Sequence, residues 1–338
     1  MKRDETCLFD LVDKIRVTWE ITRQCNYNCD HCCTDAVNES KEELPTKRVL
    51  EVIDEMDQLG VAAIYFSGGE PLKRKDILEI LQYASSKENI KRINLATNGS
   101  LITNDTAKIL ANLNLESVLI SLDGHTEEIN NSIRGIKTAY NDALNGIELL
   151  SREGVNVRVG AVIWKENINF LEEITQLAID KNAYQIFFNW LVKVGRCNDN
   201  PAILVNESHY LETSKRIMAL KEKYADQIKV GYHRFKTIYP GFPNCEGGKK
   251  IYHITAKGEI GPCSWVIKGD KTMQSKNSLF DFSLAELMEN SEIKRFKELV
   301  QQREEKWGIG CPAMCLSENN NYFSYDPLLD GVGKFVKK

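Results

Sequence analysis

No run in this 338-residue sequence is apolar for the length a membrane span needs; VAAIYF and VLISL are the size of single strands. The opening MKRDETCLFDLVDK is charged within its first five residues and has no apolar signal core. Positive charge is not in excess. Lys and Arg number 44 against 48 Asp and Glu, a formal net charge of −4, so nothing in the balance calls for a nucleic-acid partner. Low-complexity tracts and repeat arrays are also missing. These absences point to a cytoplasmic globular protein, whose 42% hydrophobic residues suffice for one large domain and a smaller one. Disulfides are rare in that compartment. The ten cysteines of the chain therefore indicate metal or redox chemistry.

Strand and helix patterns alternate. IRVTWEI (15–21), AAIYF (62–66), RINLA (92–96), SVLIS (117–121), VNVRVGAVI (155–163) and YQIFFNW (184–190) read as strands. Between them, apolar residues recur at helical spacing: Val49, Val52, Ile53, Met56 and Leu59; Ile77, Ile80, Leu81 and Ala84; a short helix near 104–113; Ala143, Ile147 and Leu150. Leu171, Ile174 and Ala178 mark one more. Six units at roughly 30 residues each match βαβ crossovers. The expected fold is α/β, a partial (β/α)6 TIM-like barrel with functional loops beyond the strands' carboxyl ends. A flat doubly wound sheet is the alternative that pattern alone leaves open.

After Trp190 the texture changes. A loop at 191–203 precedes a helix over about 206–226, with Leu211, Met218 and Tyr224 near one face. KIYHITAKGEIGPC reads as a hairpin turning at Lys257-Gly258. Ser283 with Glu286 forms a capping-box pattern, and Leu284, Leu287, Ile293, Phe296 and Leu299 continue that helix. The tail from Asn319 shows no clear element. The expected division is a barrel over 1–200, a linker helix and loop over 201–240, and a small metal-held module with the tail over 241–338.

CNYNCDHCC (25–33) holds four of the cysteines. Cys25, Cys29 and Cys32 have the spacing C-x3-C-x2-C. Three thiolates on a short loop can hold three irons of a 4Fe–4S cube and leave the fourth open, the mark of a catalytic metal site. The alternative is a zinc site that takes Cys33 as its fourth ligand. Adjacent Cys32 and Cys33 would strain it, because neighbouring side chains point apart in extended backbone.

Placed just after a first strand, this spacing resembles the radical S-adenosylmethionine (SAM) superfamily. FSGGEP (66–71) ends the second strand and is similar to the family's GGE motif. ATNG (96–99), SLDG (121–124) and Arg134-Gly135 look like the corresponding segments of the branch that carries auxiliary clusters. The resemblance covers residues 15 to 200, and it rests on the order of the motifs at successive strand ends. It implies that the open iron chelates the amine and carboxylate of the SAM methionine. Gly68, Gly69 and Glu70 would hold the amino group, with the glycines admitting close backbone approach. Ser121, with Asn98 or Asp123, would sit near ribose and methionine, and Arg134 would pair with the carboxylate. His31 stands where the family places an aromatic ring near adenine, but loop packing or a hydrogen bond is its expected part. Tyr27 is expected to pack in the loop. The implied chemistry starts from an external one-electron donor such as flavodoxin or ferredoxin. SAM is cleaved to methionine and a 5′-deoxyadenosyl radical, which takes a hydrogen atom from an unactivated C–H bond.

A second set follows the barrel: Cys245, Cys263, Cys311 and Cys315. Twelve residues separate Cys245 from Gly258, and four more precede Cys263. This resembles the C-x(9–15)-G-x4-C opening of SPASM and twitch extensions, and CPAMC (311–315) adds two thiols. No further C-x2-C is present, so the resemblance is to the shorter twitch form, with one auxiliary 4Fe–4S cluster fully ligated and suited to electron transfer. The alternative is a structural zinc ribbon held by the same four cysteines.

Cys7, Cys33 and Cys197 remain, and free cysteines are usually small buried apolar residues. Cys197, in VGRCNDN after the sixth strand, is the candidate for returning a hydrogen atom to a substrate radical, as in radical SAM epimerases. Asp123, Glu166 and Asp199 are candidate bases at the same mouth. The expected function is net oxidation of a small polar metabolite or a peptide, assisted by the auxiliary cluster. The alternatives are a peptide epimerase or other redox-neutral maturase using Cys197 and, in a different class, a zinc-stabilised binding protein. About fourteen residues precede the first strand. No N-terminal peptide-recognition domain is therefore expected, which favours a small molecule, or a peptide delivered by a separate partner.

Overall fold

The computed structural model describes residues 14–40, 42–232, 245–307, 310–324 and 326. Cys7 and the last residues of the tail lie outside them. Six strands form close to where their sequences predict: β1 (Ile15–Thr22), β2 (Val61–Gly68), β3 (Arg92–Thr97), β4 (Ser117–Ser121), β5 (Val157–Ile163) and β6 (Gln185–Trp190). Helices α1 (Thr46–Gln58), α2 (Ile77–Ser85) and α3 (Asn104–Asn112) connect the first four. Two helices, α4 (Glu127–Arg134) and α5 (Ala139–Arg152), follow β4, and α6 (Leu171–Asp180) follows β5. The periodicity of the sequence did not indicate α4. It is short, and its boundaries come from caps: Thr126 accepts from the Ile129 N–H, and Gly135 ends it in the left-handed region at φ +68°.

Residues 201–240, read as linker helix and loop, contribute more than a connection. They hold α7 (Tyr210–Lys223) and β7 (Lys229–Tyr232), and β7 pairs in parallel with β6. At the other edge β8 (Ile251–Ile254) pairs in parallel with β1, and β9 (Ile260–Gly261) returns antiparallel to β8. The strand order is β7-β6-β5-β4-β3-β2-β1-β8-β9. Beyond the sheet come α8 (Ser264–Gly269), α9 (Leu284–Met288), α10 (Ser291–Trp307) and α11 (Pro312–Asn319). The expected hairpin and the Ser283–Glu286 capping box both form. Among the described residues no helix is long and apolar enough to cross a membrane.

Burial separates a barrel from a doubly wound sheet, in which helices would cover both faces. Ile64 and Phe66, Ile120, and Ile186 and Phe188 are fully buried against the helices. Their neighbours Tyr65 and Ser67, Leu119 and Ser121, and Phe187 and Asn189 are partly exposed on the opposite face. The sheet is therefore a partial TIM barrel, with one face in the core and a polar concave face left accessible.

Glu20 lies on that concave face and is 1% exposed. His253 of β8 brings Nε2 to 3.3 Å from its carboxylate, and Lys268 of α8 lies 3.0 and 3.1 Å from its two oxygens. Burial pushes the carboxyl up, but its contacts with His253 and Lys268 outweigh it and hold it at about 2. Arg16 of β1 adds an ion pair with Glu246. Buried charges thus join the barrel to the C-terminal segment. Lowering a carboxyl from 4.5 to about 2 corresponds to roughly 3 kcal/mol. Because the group is more acidic folded than unfolded, this contribution is complete above pH 4.5 and is lost as pH falls through about 2. Glu20→Gln is expected to lower unfolding free energy by about 3 kcal/mol at pH 7. In urea titrations the gap between variant and parent should shrink as the pH is lowered from 5 toward 3; a gap independent of pH would refute the assignment.

Candidate active site

The chain leaves β1 at Thr22 and at once packs against the end of β2. Gly69 N–H donates to the Thr22 carbonyl (2.8 Å) and Glu70 N–H to the Gln24 carbonyl (2.7 Å). A Cβ on Gly68, whose φ is +133°, would be driven into the Thr22 carbonyl, and one on Gly69 into that of Gln24. The two glycines are thus required by contact between protein backbones, where the motif alone suggested approach to a ligand. Glu70 is fully buried. Its carboxylate accepts from Leu72 N–H (3.1 Å), Thr97 Oγ1 (2.7 Å) and Asn98 N–H (2.7 Å). Burial raises this carboxyl to about 6 against the three donors. Glu70 therefore clasps the carboxyl ends of β2 and β3.

The clasp positions Asn98. Its Nδ2 donates to Asn26 Oδ1 (3.0 Å) and faces Cys25 Sγ at 4.0 Å. Cys25, Cys29 and Cys32 pack together with Tyr27, Ala36 and Ala139, whereas Cys33 packs against the main core. Tyr27 N–H donates to Cys25 Sγ (3.3 Å), and the Tyr27 hydroxyl donates to Asp142. Arg196, which the sequence did not single out, clamps the loop by donating to the carbonyls of Cys29 (2.8 Å) and Ala36 (2.9 Å). Only the return of the chain after β6 brings it there.

Arg134 lies at the end of α4 and is 8% exposed. One of its nitrogens is 2.5 Å from Asp123 Oδ2 and another 3.9 Å from Cys29 Sγ. Asp123 is fully buried, and its other oxygen accepts from Val162 N–H (2.7 Å). His31 Nε2 lies 3.3 Å from the same carboxylate, and burial pushes this imidazole down to about 4. Asp123 is thus a buried counter-ion rather than an open base. Glu166 is exposed, and Ser121 lies on the accessible concave face.

Cys197, expected to be a hydrogen donor at the mouth, is fully buried with Ile133, Trp164, Leu191 and Ile203. Burial pushes its thiol up to about 12. The loop after β6 turns this side chain inward, against that apolar wall. The second set does come together. Cys245, Cys263 and Cys311 share one apolar cluster with Val266, Phe296 and Ala313. Cys315 is fully buried nearby on α11, its N–H donating to the Cys311 carbonyl (3.1 Å).

All nine described cysteines are free thiols. Among the described residues no three His, Cys, Asp or Glu side chains close on a single-ion site. The fit to a cluster rests on the donors: two sets of soft sulfur ligands, each met by N–H groups that would face cluster thiolates.

The radical SAM superfamily model matches residues 19–178, so the chain contains a radical SAM domain. This superfamily binds SAM and a 4Fe–4S cluster. Over 205 residues the chain is 37% identical to the Fe-coproporphyrin III synthase of Methanosarcina barkeri, covering 60% of this chain and 50% of that protein. It is 28% identical to the AdoMet-dependent heme synthase of the same organism over 92% of this chain and 95% of the relative. The mycofactocin maturase MftC of Mycolicibacterium smegmatis is 29% identical over 84% of this chain and 72% of its own length. Among solved structures, anSMEcpe with bound AdoMet superposes with a TM-score of 0.74 at 18% identity, covering 94% of this chain and 91% of the other.

Removing the Glu70 carboxylate leaves two buried N–H donors unpaired, at about 1–3 kcal/mol. Glu70→Ala is therefore expected to weaken SAM binding by about tenfold in equilibrium dialysis while iron content holds. Loss of iron in step with SAM would show that the clasp supports the thiols instead. Cys197→Ala should leave the rate of SAM cleavage unchanged and lower stability by about 1 kcal/mol; a collapse of turnover in a folded variant would restore its catalytic role.

Proposed function

We propose that this is a radical SAM enzyme of the cytoplasm that oxidises a small polar metabolite or a peptide by two electrons. The grouping of Cys25, Cys29 and Cys32 beside the Glu70–Asn98 clasp carries the reading. These three thiolates would hold a 4Fe–4S cluster and leave one iron for SAM. When bound, cluster and SAM supply a 5′-deoxyadenosyl radical that removes a hydrogen atom from a C–H bond. Gly68 and Gly69 let the strand end pack on the cysteine loop. Glu70 fixes the β2 and β3 ends, and Asn98 after β3 and Ser121 at the end of β4 would face the cofactor. Arg134, already balanced by Asp123, lies beside Cys29 for the methionine carboxylate. The partly exposed face with Tyr65, Ser67, Phe187 and Asn189 is the chamber for substrate.

The second electron is the task of the C-terminal segment. Cys245, Cys263, Cys311 and Cys315 would fully ligate an auxiliary 4Fe–4S cluster, with no position left for substrate. Held by these four thiolates, such a cluster would supply a one-electron acceptor for the two-electron oxidation, with the proton going to solvent. A flavodoxin or ferredoxin would reduce the first cluster. A named maturase among the relatives supports a peptide substrate, and a synthase that matches nearly end to end supports a smaller molecule. Residues 1–200 would serve the first task and residues 241–338 the second, with 201–240 between them.

Anaerobically reconstituted protein should hold about eight irons and eight sulfides per chain. Replacing Cys25, Cys29 and Cys32 by Ala should leave about four irons and no SAM cleavage, whereas Cys311→Ala with Cys315→Ala should leave about four with cleavage intact. Stoichiometric zinc with negligible sulfide would sink the proposal.

A further inference from the structure

Arg158 of β5 stands between Val157 and Val159, which are fully buried in the core, so its side chain lies on the accessible concave face. Its register partners are Leu119 of β4 and Gln185 of β6, and Leu119 pairs in turn with Ala96 of β3. Asn98 follows Ala96 by two residues, and Ser121 follows Leu119 by two. Two residues of strand rise by about 6.6 Å, so Arg158 occupies the row just beneath the residues read as facing the cofactor. Its guanidinium lies over the Phe187 ring, 5.4 Å from the centroid.

The buried arginines of the barrel are paired: Arg16 with Glu246, Arg74 with Asp76 and Arg134 with Asp123. Arg158 is not. Among the described residues it has no ion pair and no hydrogen bond, and its Nε is buried without an acceptor. Tyr65, Glu116 and Tyr184 act on it through charge alone, and burial outweighs them, pushing the guanidinium below its ordinary value. Glu20, a buried carboxylate of the same face, is already held by His253 and Lys268. A guanidinium donor left unmet in such a place costs free energy. A carboxylate supplies what is missing, two coplanar oxygens and one negative charge, in the geometry of the guanidinium fork. One arginine balances that single charge, whereas a phosphate group carries up to two.

We propose that Arg158 is a specificity-determining residue that holds a carboxylate of the substrate. The substrate is then an acid, and the fork of Arg158 sets how far from that carboxylate lies the C–H bond presented to the row above. The inference rests on the reading of this concave face as the substrate chamber.

The probe is benzoate, with benzamide as its uncharged analogue. Each is titrated by calorimetry into the full-length protein, reconstituted anaerobically, with saturating SAM and no reductant. SAM fills the position beside Arg134, so that benzoate does not report on that arginine. The parent should bind benzoate about tenfold more tightly than benzamide. Arg158→Met keeps the apolar stem and loses the charge, and its preference for benzoate should vanish. Arg158→Lys keeps the charge but not the fork, and should weaken benzoate binding less. Equal benzoate affinity in the parent and Arg158→Met, or no preference in the parent, overturns the inference, while intact iron content and SAM binding leave the radical reading standing. Phenyl phosphate bound more tightly than benzoate, and lost in Arg158→Met, overturns the assignment to a carboxylate. If Arg158→Met fails to hold its iron, Arg158→Lys carries the measurement, and an unchanged benzoate affinity there overturns the inference. A parent without iron and sulfide overturns the radical reading, and the inference with it.

Discussion

The Glu70 carboxylate is the constraint on which the site depends. It is fully buried and accepts three protein hydrogen bonds that tie the end of β2 to the end of β3. A buried carboxylate without such donors would be costly, and with them it becomes a rigid joint. The cysteine loop must rest on that joint. It does so through backbone contacts that only Gly68 and Gly69 leave room for. Arg196 then closes the loop from the far side of the barrel. The thiols are therefore placed by strand ends and not by the loop's own preferences.

A buried cation and a buried carboxylate lie beside each of the two sulfur sets. At the first, Arg134, Asp123 and His31 form a buried group in which the carboxylate is shared and the imidazole is neutral. At the second, Arg303 reaches Cys315 directly. Between them runs the junction of Glu20, His253 and Lys268, which draws β8 and α8 onto β1. The C-terminal segment therefore belongs to the same sheet as the barrel, and the two sets of thiols are held in one framework.

The six barrel strands, their order along the chain and the hairpin at Gly258 were legible because apolar spacing and turn residues are local properties. The grouping of Cys25, Cys29 and Cys32 was legible for the same reason, since nine residues contain it. Other features were not. β7 carries only four residues, and its identity as a strand depends on β6 being beside it. α4 is defined by its caps more than by its periodicity. The GGE motif was visible, but two of the carboxylate's three partners lie 27 and 28 positions away in sequence.

The sequence by itself determined the alternating α/β plan, the two cysteine sets and the strand-end motifs, because each depends on residue type at short spacing. The tertiary structure decided which side chains face one another across long separations. It buried Cys197 in an apolar cluster, paired Arg134 with Asp123, and brought Arg303 to Cys315 from a neighbouring helix. It also placed Glu20 against His253, 233 positions on, because β8 adds to the free edge of β1. Burial, ion pairing and hydrogen-bond direction depend on contacts that only the closed sheet creates, and no local pattern encodes them.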